Sequence, residues 1–190
     1  MIKYAGIGAR ETPEDICRKM SQASKAMAEL GFCLRSGGAK GADSAFEDGV
    51  LQSNAWKEWA AKQHNDAANA ADDPFRKIYL PFKGFNRHRG SIIGSTKEAR
   101  LIAKDFHPKW QILSHRGRDF HARNVYQMLG RSLNDLSRFV LCWTEDGKIQ
   151  GGTGQALRIA EAFSVPILNF AIHSDDYISD FILNIGKELG

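Results

Sequence analysis

The chain has 190 residues and a mass of 21.1 kDa, which is the size of one ordinary domain. Its 43% hydrophobic and 25% charged residues are typical of a globular protein and exclude wholesale disorder. No apolar run approaches the roughly 20 residues of a membrane helix, the first residues lack a signal-peptide pattern, and the three cysteines are too few and too widely spaced for a disulfide framework. We therefore expect a cytoplasmic protein with no membrane partner.

The net charge of +4 is unevenly distributed. Between Lys83 and Arg123, ten basic residues stand against three acidic ones, which gives this segment a charge of +7. Such a segment favours an anionic partner, with phosphate as the first candidate. The alternative is a solvated basic face with no ligand.

The N-terminal part predicts two strand–turn–helix units. A strand at residues 2–7 leads through a glycine turn into a helix that Thr12 caps and Gly31 ends. A second strand at 32–35 leads through a glycine-rich turn into a short helix that begins near residue 42.

The middle of the chain predicts an insertion and a further strand. Residues 52–74 are rich in Ala, Asn, Asp, Lys and Gln, and we expect an insertion that is partly helical. A strand is predicted at 77–81, followed by helices at 94–106 and 119–135 and by a buried strand at 138–143.

The C-terminal part repeats the same plan. A turn of glycines at 151–154 opens a helix, a strand follows at 165–170, and Ser174 caps a last amphipathic helix. Strands that alternate with helices predict an α/β fold in a single domain over residues 1–190. We expect a Rossmann-like, doubly wound and mostly parallel sheet with helices on both faces.

Three strand ends share a glycine-rich turn that leads into a helix. In an open parallel sheet such turns meet at the carboxyl edge, where ligands bind. Glycine allows close approach of the backbone, and a helix start offers free N–H groups and a partial positive charge, both of which suit phosphate. Three such turns favour a phosphate or nucleotide site over turns that are purely structural.

These turns do not match the common nucleotide fingerprints. The first turn, Gly6-Ile7-Gly8, lacks the third glycine of GxGxxG, and Gly41 is followed by Ala42 and Asp43 rather than by Lys and Ser or Thr. An ordinary dehydrogenase and a P-loop ATPase are therefore disfavoured.

The same turns resemble a known family. The stretches at residues 4–10, 34–43 and 151–154 are similar to the SLOG superfamily, which includes the DNA-processing protein DprA and the "lonely guy" (LOG) phosphoribohydrolases. The pair Arg123-Asn124 resembles the Arg-Asn pair that precedes a helix in both branches. The compact form with an insertion looks like the stand-alone proteins found in phages.

The resemblance implies a Rossmann-like sheet, often in a homodimer, with a nucleotide or nucleic-acid phosphate over the glycine turns. No metal or further cofactor is expected to be required. Matched position by position, the ligand-binding residues would be Gly8, Arg10, Ser36, Gly37, Gly38, Lys40, Gly41, Arg123, Asn124, Gly151, Gly152, Thr153 and Gly154.

The chain departs from the LOG branch at the third turn. Leu157 and Arg158 stand where that branch has acidic residues, so a carboxylate for work on an N-glycosidic bond is missing there. Asp43 and Glu47, four residues apart on one helix face, are the replacement candidates for catalysis. The alternative is that Asp43 fixes its own turn and Glu47 lies on the helix surface.

Several other side chains are weaker candidates. Trp143 and Thr144 follow a strand end, where the ring would stack on a base or simply cap the core. His107 and His121 flank the basic loop, and Trp110 lies among basic neighbours that suit single-stranded nucleic acid. The histidine spacing does not favour a zinc site.

Three functions follow from these observations. The first is a binding protein for a nucleoside phosphate or dinucleotide, which would sense or sequester a nucleotide signal. The second is a phosphoribohydrolase or related N-glycosidase that acts on nucleoside 5′-monophosphates. The third is DprA-like binding of single-stranded DNA in recombination, which the basic middle of the chain favours.

Overall fold

The computed structural model describes residues 1–63, 73–88 and 92–187. The strands are β1 (Lys3–Gly8), β2 (Cys33–Ser36), β3 (Arg76–Leu80), β4 (Ile92–Ile93), β5 (Val140–Trp143) and β6 (Ile167–Asn169). The helices are α1 (Glu14–Glu29), α2 (Ala42–Gln52), α3 (Asn54–Ala61), α4 (Lys97–Asp105), α5 (His115–Leu129), α6 (Gly151–Ala162) and α7 (Asp175–Gly186). Within the described ranges, the six strands form one parallel sheet in the order β4-β3-β2-β1-β5-β6.

Two hydrophobic clusters cover the two faces of the sheet. One cluster joins the sheet to α1, α2 and α7, and the other joins it to α4, α5 and α6. Successive residues of β1 serve opposite clusters, since Tyr4 belongs to the first and Ala5 to the second, as the two-residue period of a strand requires. The predicted doubly wound α/β fold with helices on both faces is confirmed, and all the pairings described are parallel.

The ends of some elements differ from the sequence prediction. The helix predicted at 119–135 is α5, which begins earlier because the Ser114 hydroxyl accepts a hydrogen bond from the Gly117 amide, and ends earlier because Gly130 adopts a φ of +66°. Thr12 does not cap α1, because its hydroxyl donates to the Ala9 carbonyl instead.

The caps predicted at Gly31 and Ser174 are confirmed. Gly31 follows α1 with a φ of +79°, and the Ser174 hydroxyl accepts a hydrogen bond from the Tyr177 amide. The edge strand β4, only two residues long, was not predicted.

Of the predicted insertion at 52–74, residues 64–72 lie outside the described residues. In the part that is described, α3 begins where the Glu29 carboxylate accepts hydrogen bonds from the Asn54 and Ala55 amides. The Trp56 indole donates to Asp73 at 2.9 Å and so ties α3 to the segment that precedes β3. None of the described helices is long and apolar enough to cross a membrane.

Candidate functional site

A cavity of about 670 Å³ opens at the carboxyl edge of the sheet. It lies where β1 and β5 run side by side, since residues that follow each of these strands line it. The chain leaves β1 toward β2 and leaves β5 toward β6, on opposite sides, so the cavity occupies the point at which the strand order reverses. Ligands of open α/β sheets bind at such a point.

The start of α6 forms one wall of this cavity. Gly151, Gly152 and Thr153 line it, and their N–H groups precede the first hydrogen bond of the helix, which runs from Gly154 to the Gln150 carbonyl at 2.9 Å. Gly151 has a φ of +64°, and a β-carbon at Gly151 or Gly152 would have no atom within 4 Å. The start of α6 is therefore open toward the cavity.

The start of α6 has no side-chain cap, a feature that it shares with α1 and α2. At the starts of α3, α4, α5 and α7, a serine or threonine oxygen accepts a hydrogen bond from an amide of the first turn. The residue before α6 is Gln150, whose side chain makes no such bond. The partial positive charge of this helix end therefore faces the cavity without a side-chain cap.

Gly154, predicted to bind phosphate, has a packing role. A β-carbon at this position would lie 2.8 Å from the backbone of Ile149, so α6 can approach that loop only with glycine here. The residue is buried and does not line the cavity.

The first glycine turn contributes Gly8 and Arg10 to the cavity. Gly8 is held close to α2, because a β-carbon there would lie 2.5 Å from the β-carbon of Ala42. Arg10 is exposed, and its guanidinium carbon lies 5.8 Å from the centre of the Phe120 ring, which also lines the cavity. Arg10 therefore places a cation at the mouth of the cavity, where its guanidinium packs against the Phe120 ring.

The second glycine turn, residues 36–43, is closed by other parts of the protein. The Ser36 hydroxyl donates to the Gly6 carbonyl at 2.8 Å, and a β-carbon at Gly37 would collide with the Arg123 guanidinium. Gly38 is covered by the side chains of Leu80 and His88, and its carbonyl accepts a hydrogen bond from Asn86 Nδ2. Gly41 lies against the backbone of Ala9 and Arg10. None of Ser36, Gly37, Gly38, Lys40 and Gly41 lines the cavity.

Ala39 and Asp43 are the residues of this turn that reach the cavity. Asp43 Oδ2 accepts hydrogen bonds from Arg123 Nη1 at 3.2 Å and from the Ala39 amide at 3.3 Å. Asp43 therefore does fix its own turn, and it also holds Arg123 against the cavity wall.

Both members of this ion pair are buried, with 3% of Asp43 and 7% of Arg123 exposed. Burial raises the pKa of Asp43, although Arg123 opposes the shift. Burial lowers the pKa of Arg123, although Asp43 opposes that shift. An anion in the cavity would stabilise the charged guanidinium and so offset the free-energy cost of its burial.

Glu47 does not reach the cavity and is not a surface residue. It is 6% exposed, and its carboxylate pairs with Arg76 on β3 and with His88 Nε2 at 2.7 Å. Asp73 also pairs with Arg76, at 2.9 Å. Glu47 therefore belongs to a buried ionic network that joins α2 to β3.

Asn124 holds the start of α6 in place. Its Nδ2 donates to the Gly152 carbonyl at 3.0 Å and to Gln155 Oε1 at 3.2 Å. Asn124 lines the cavity, but its amide hydrogens point to the protein. Asn124 therefore positions the glycine turn at the start of α6.

Trp143, the last residue of β5, and Thr144, the next residue, contribute differently to the cavity. Trp143 is half-buried and forms part of the cavity wall. Thr144 also lines the cavity, but its hydroxyl accepts a hydrogen bond from Asn169 Nδ2 at 2.8 Å. Trp143 therefore presents an aromatic surface, while Thr144 ties β5 to β6.

His121 and His107 form a pair at the side of the cavity. Their ring centres are 4.1 Å apart, and His121 lines the cavity while His107 does not. Burial, reinforced by His107, lowers the pKa of His121 to about 4, so this ring is neutral at pH 7. Trp110, a candidate for base stacking, is only 8% exposed and packs against Arg118 and His107.

Several lining residues were missed by the sequence reasoning, among them Glu11, Phe120, Gln127, Glu145 and Gln150. Phe120 lies four residues before Asn124 and Gln127 lies three residues after it, so all three share one face of α5. This helical spacing could have identified Phe120 and Gln127 from the sequence once Asn124 was a candidate. Glu11 and Glu145 follow strand ends but belong to no recognisable motif. Among the described residues, no group of three or more His, Cys, Asp or Glu could hold a metal ion.

Neither a protein-family model nor a curated protein matches the chain. Among solved structures, it is similar to DNA processing protein A from Helicobacter pylori, described for its single-stranded DNA binding mode. The two have 17% sequence identity and a TM-score of 0.58, and the match covers 98% of this chain and 81% of that chain. At this identity the likeness establishes a shared fold, so the chain has a Rossmann-like fold of the kind seen in that DNA-processing protein.

Proposed function

We propose that the protein binds a nucleotide, with a phosphate at the open start of α6 and the rest of the ligand in the cavity. The observation that carries this proposal is that the uncapped start of α6 and the cation Arg123 line the same cavity, and that Arg123 Nε has no hydrogen-bond partner among the described residues. Backbone N–H groups, a helix dipole and a buried guanidinium are the elements of an anion site.

The size and walls of the cavity support a ligand larger than phosphate. A volume of about 670 Å³ lies within the range of small-molecule sites. Trp143 and Phe120 offer aromatic surfaces for a base, and Arg10 offers a cation at the mouth. The phosphate-binding residues are accordingly Gly151, Gly152, Thr153 and Arg123, without a metal ion. The protein would then sense or sequester its nucleotide.

A change at Gly152 tests this proposal. We expect Gly152→Asp to fold normally, because a carboxylate is favourable at a helix start and a side chain there has open space. The same carboxylate should repel phosphate and weaken nucleotide binding by about tenfold or more. Isothermal titration with nucleoside mono-, di- and triphosphates and cyclic dinucleotides measures the effect.

The matched control for this test is Gly152→Ala, which adds a side chain without charge. It should bind nearly as the unaltered protein does. Equal affinity of the Asp and Ala variants would contradict a phosphate at the start of α6.

Single-stranded DNA is the second candidate ligand. The fold shared with a DNA-processing protein and the basic segment between Lys83 and Arg123 favour it. A bound strand would place one nucleotide in the cavity and its backbone along that segment. An oligonucleotide should then bind more tightly than the matching mononucleotide.

Phosphoribohydrolase activity is a third candidate, and Asp43 is the observation in its favour. It is a carboxyl group at the cavity with a pKa raised by burial. However, Leu157 is buried in the core and Arg158 donates to the Phe106 carbonyl, so neither position offers a carboxylate on α6. Chromatography of nucleotides incubated with the protein tests for this activity. Release of free base would demonstrate catalysis, whereas intact nucleotides would exclude it.

We further infer that the chain belongs to the SLOG superfamily, on the strength of its glycine turns. The expectations of a cytoplasmic homodimer and of a stand-alone, phage-type form rest on the same resemblance. Sedimentation of the purified protein tests the dimer.

A further inference from the structure

The cavity has an exposed, charged mouth and a buried interior that is both apolar and polar. The exposed lining residues include Arg10, Glu11, Glu145 and Gly151. In the interior, Ile7 is 3% exposed and Ala156 is 1% exposed, and the ion-paired Asp43 and Arg123 are buried as well. A nucleotide fits this arrangement if its phosphate stays near the mouth, at the start of α6, and its base lies in the interior.

Gln127 is another polar side chain in this buried interior. It lies on α5 ten residues after Gly117, which corresponds to about 15 Å along the helix axis, and both residues line the cavity. Only 1% of Gln127 is exposed. Its position therefore marks the inner end of the α5 wall.

The amide of Gln127 has no hydrogen-bond partner in the part of the chain that is described. Its Nε2 is buried and unpaired, and none of the described hydrogen bonds uses its Oε1. The Ser137 hydroxyl donates to the backbone carbonyl of Gln127, not to its side chain. Buried polar groups without partners are costly, and among the described residues Gln127 is one of three with such an atom that line the cavity, together with His121 and Arg123. A ligand in the cavity would supply the partner that the amide lacks.

We propose that Gln127 reads the nucleobase of the bound nucleotide, so that the base enters first and the phosphate stays at the mouth. This inference rests on the proposed function, since it takes the ligand to be a nucleotide held by its phosphate at α6. Gln127 is then the residue that determines base specificity.

The chemistry of the amide suits this role. It places one donor and one acceptor side by side, and nucleobases carry a donor and an acceptor on neighbouring atoms of their edges. Because the amide is enclosed, a base that failed to match it would leave both partners unpaired, and such mismatches discriminate strongly. A phosphate group, which has only acceptors, would satisfy at most half of the amide.

The test removes the amide and keeps its volume, with Gln127→Met. Nucleoside 5′-monophosphates and ribose 5-phosphate are titrated into both proteins by calorimetry. We expect the variant to bind its preferred nucleotide about tenfold or more weakly and ribose 5-phosphate with unchanged affinity. The ligand-free variant should unfold at the same temperature or higher, because an unpaired buried amide has been removed.

Gln22→Met is the matched control, because Gln22 lies outside the cavity in the groove between α1 and α7. If Gln127→Met fails to fold, the unaltered protein is titrated with an analogue of its preferred nucleotide whose base lacks the exocyclic oxygen or amino group. That analogue should bind about tenfold or more weakly.

Three results would overturn the assignment of Gln127. The first is unchanged affinity of Gln127→Met for the preferred nucleotide, the second is an equal loss of affinity for nucleotides and ribose 5-phosphate, and the third is an analogue that binds as tightly as its parent nucleotide. Each of them would leave the phosphate site of the proposed function intact. Failure of the unaltered protein to bind any nucleotide would instead overturn the proposed function, and the assignment of Gln127 with it.

Discussion

At the scale of single residues, the cavity is defined by how its buried polar groups are paired. Asp43 is bonded to Arg123 and to the Ala39 amide, and Asn124 is bonded to the start of α6. Arg123 Nε and Gln127 Nε2 have no partner among the described residues. Asp43 and Asn124 therefore build the site, while Arg123 and Gln127 each keep one buried donor without a partner among the described residues.

His121 predicts how the stability of the protein depends on pH. Its pKa is lowered from 6.5 to about 4 in the folded state, first by burial and then by His107. As the pH falls below about 6.5, the unfolded chain therefore takes up a proton that the folded protein refuses. The stabilisation from the neutral ring is complete above this pH and is lost progressively toward pH 4.

The size of this loss can be measured. Between pH 7 and pH 5, His121 should account for about 2 kcal/mol of the free energy of unfolding. Urea denaturation of the unaltered protein and of His121→Gln at both pH values isolates this contribution, because the variant cannot titrate there. The same pH dependence in both proteins would show that another group is responsible.

At the scale of elements, the ionic network around Glu47 joins α2 to β3. We expect Glu47→Ala to lower the free energy of unfolding by about 3 kcal/mol, because it removes one carboxylate partner from the buried Arg76 guanidinium. Glu14→Ala removes the same side chain from an exposed pair with Arg18 on α1 and should cost less than about 1 kcal/mol. Chemical denaturation compares the two, and a similar loss in both would contradict a structural role for the network.

Sequence reasoning succeeded for most elements because their signals are local. Apolar runs, glycine turns and the cap at Ser174 lie within a few residues of the structure they predict. The strand β4 has two residues, too few for any periodic signal. The ends of α5 were misplaced because the cap at Ser114 and the stop at Gly130 were overlooked.

The candidate site was less predictable, since local sequence cannot show whether a glycine turn is open. The turn at 36–43 is closed by Arg123, which lies 80 positions after Asp43, and by Asn86. The turn at 151–154 is also rich in glycine, but its first residues line the cavity. Only packing between distant parts of the chain distinguishes the two.

At the scale of the whole molecule, the basic segment is less charged than its sequence implies. Arg123 is paired with Asp43, and Arg100 is paired with Asp119. Lys109 and Arg116 are exposed and form none of the described ion pairs. Fewer than the ten basic side chains between Lys83 and Arg123 therefore carry a positive charge that a nucleic acid could contact.

Salt dependence tests whether this surface binds single-stranded DNA. If it does, the affinity for an oligonucleotide should fall with a logarithmic slope of about −0.7 per phosphate contact. The double change Lys109→Ala and Arg116→Ala should make that slope shallower by one to two contacts, whereas binding of a mononucleotide should be unaffected. Fluorescence anisotropy at several salt concentrations measures both, and an unaltered slope would exclude these residues from the interface.

The missing cap of α6 has a consequence for solution conditions. If the protein holds the phosphate of a nucleotide at this helix start, which no side chain caps, phosphate and sulfate from a buffer should compete with the nucleotide. The apparent dissociation constant for the nucleotide should then rise linearly with the phosphate concentration, and it should stay constant when chloride is added instead at equal ionic strength. A titration series of this kind would give the affinity for the bare anion, and the remainder of the binding free energy would belong to the sugar and the base.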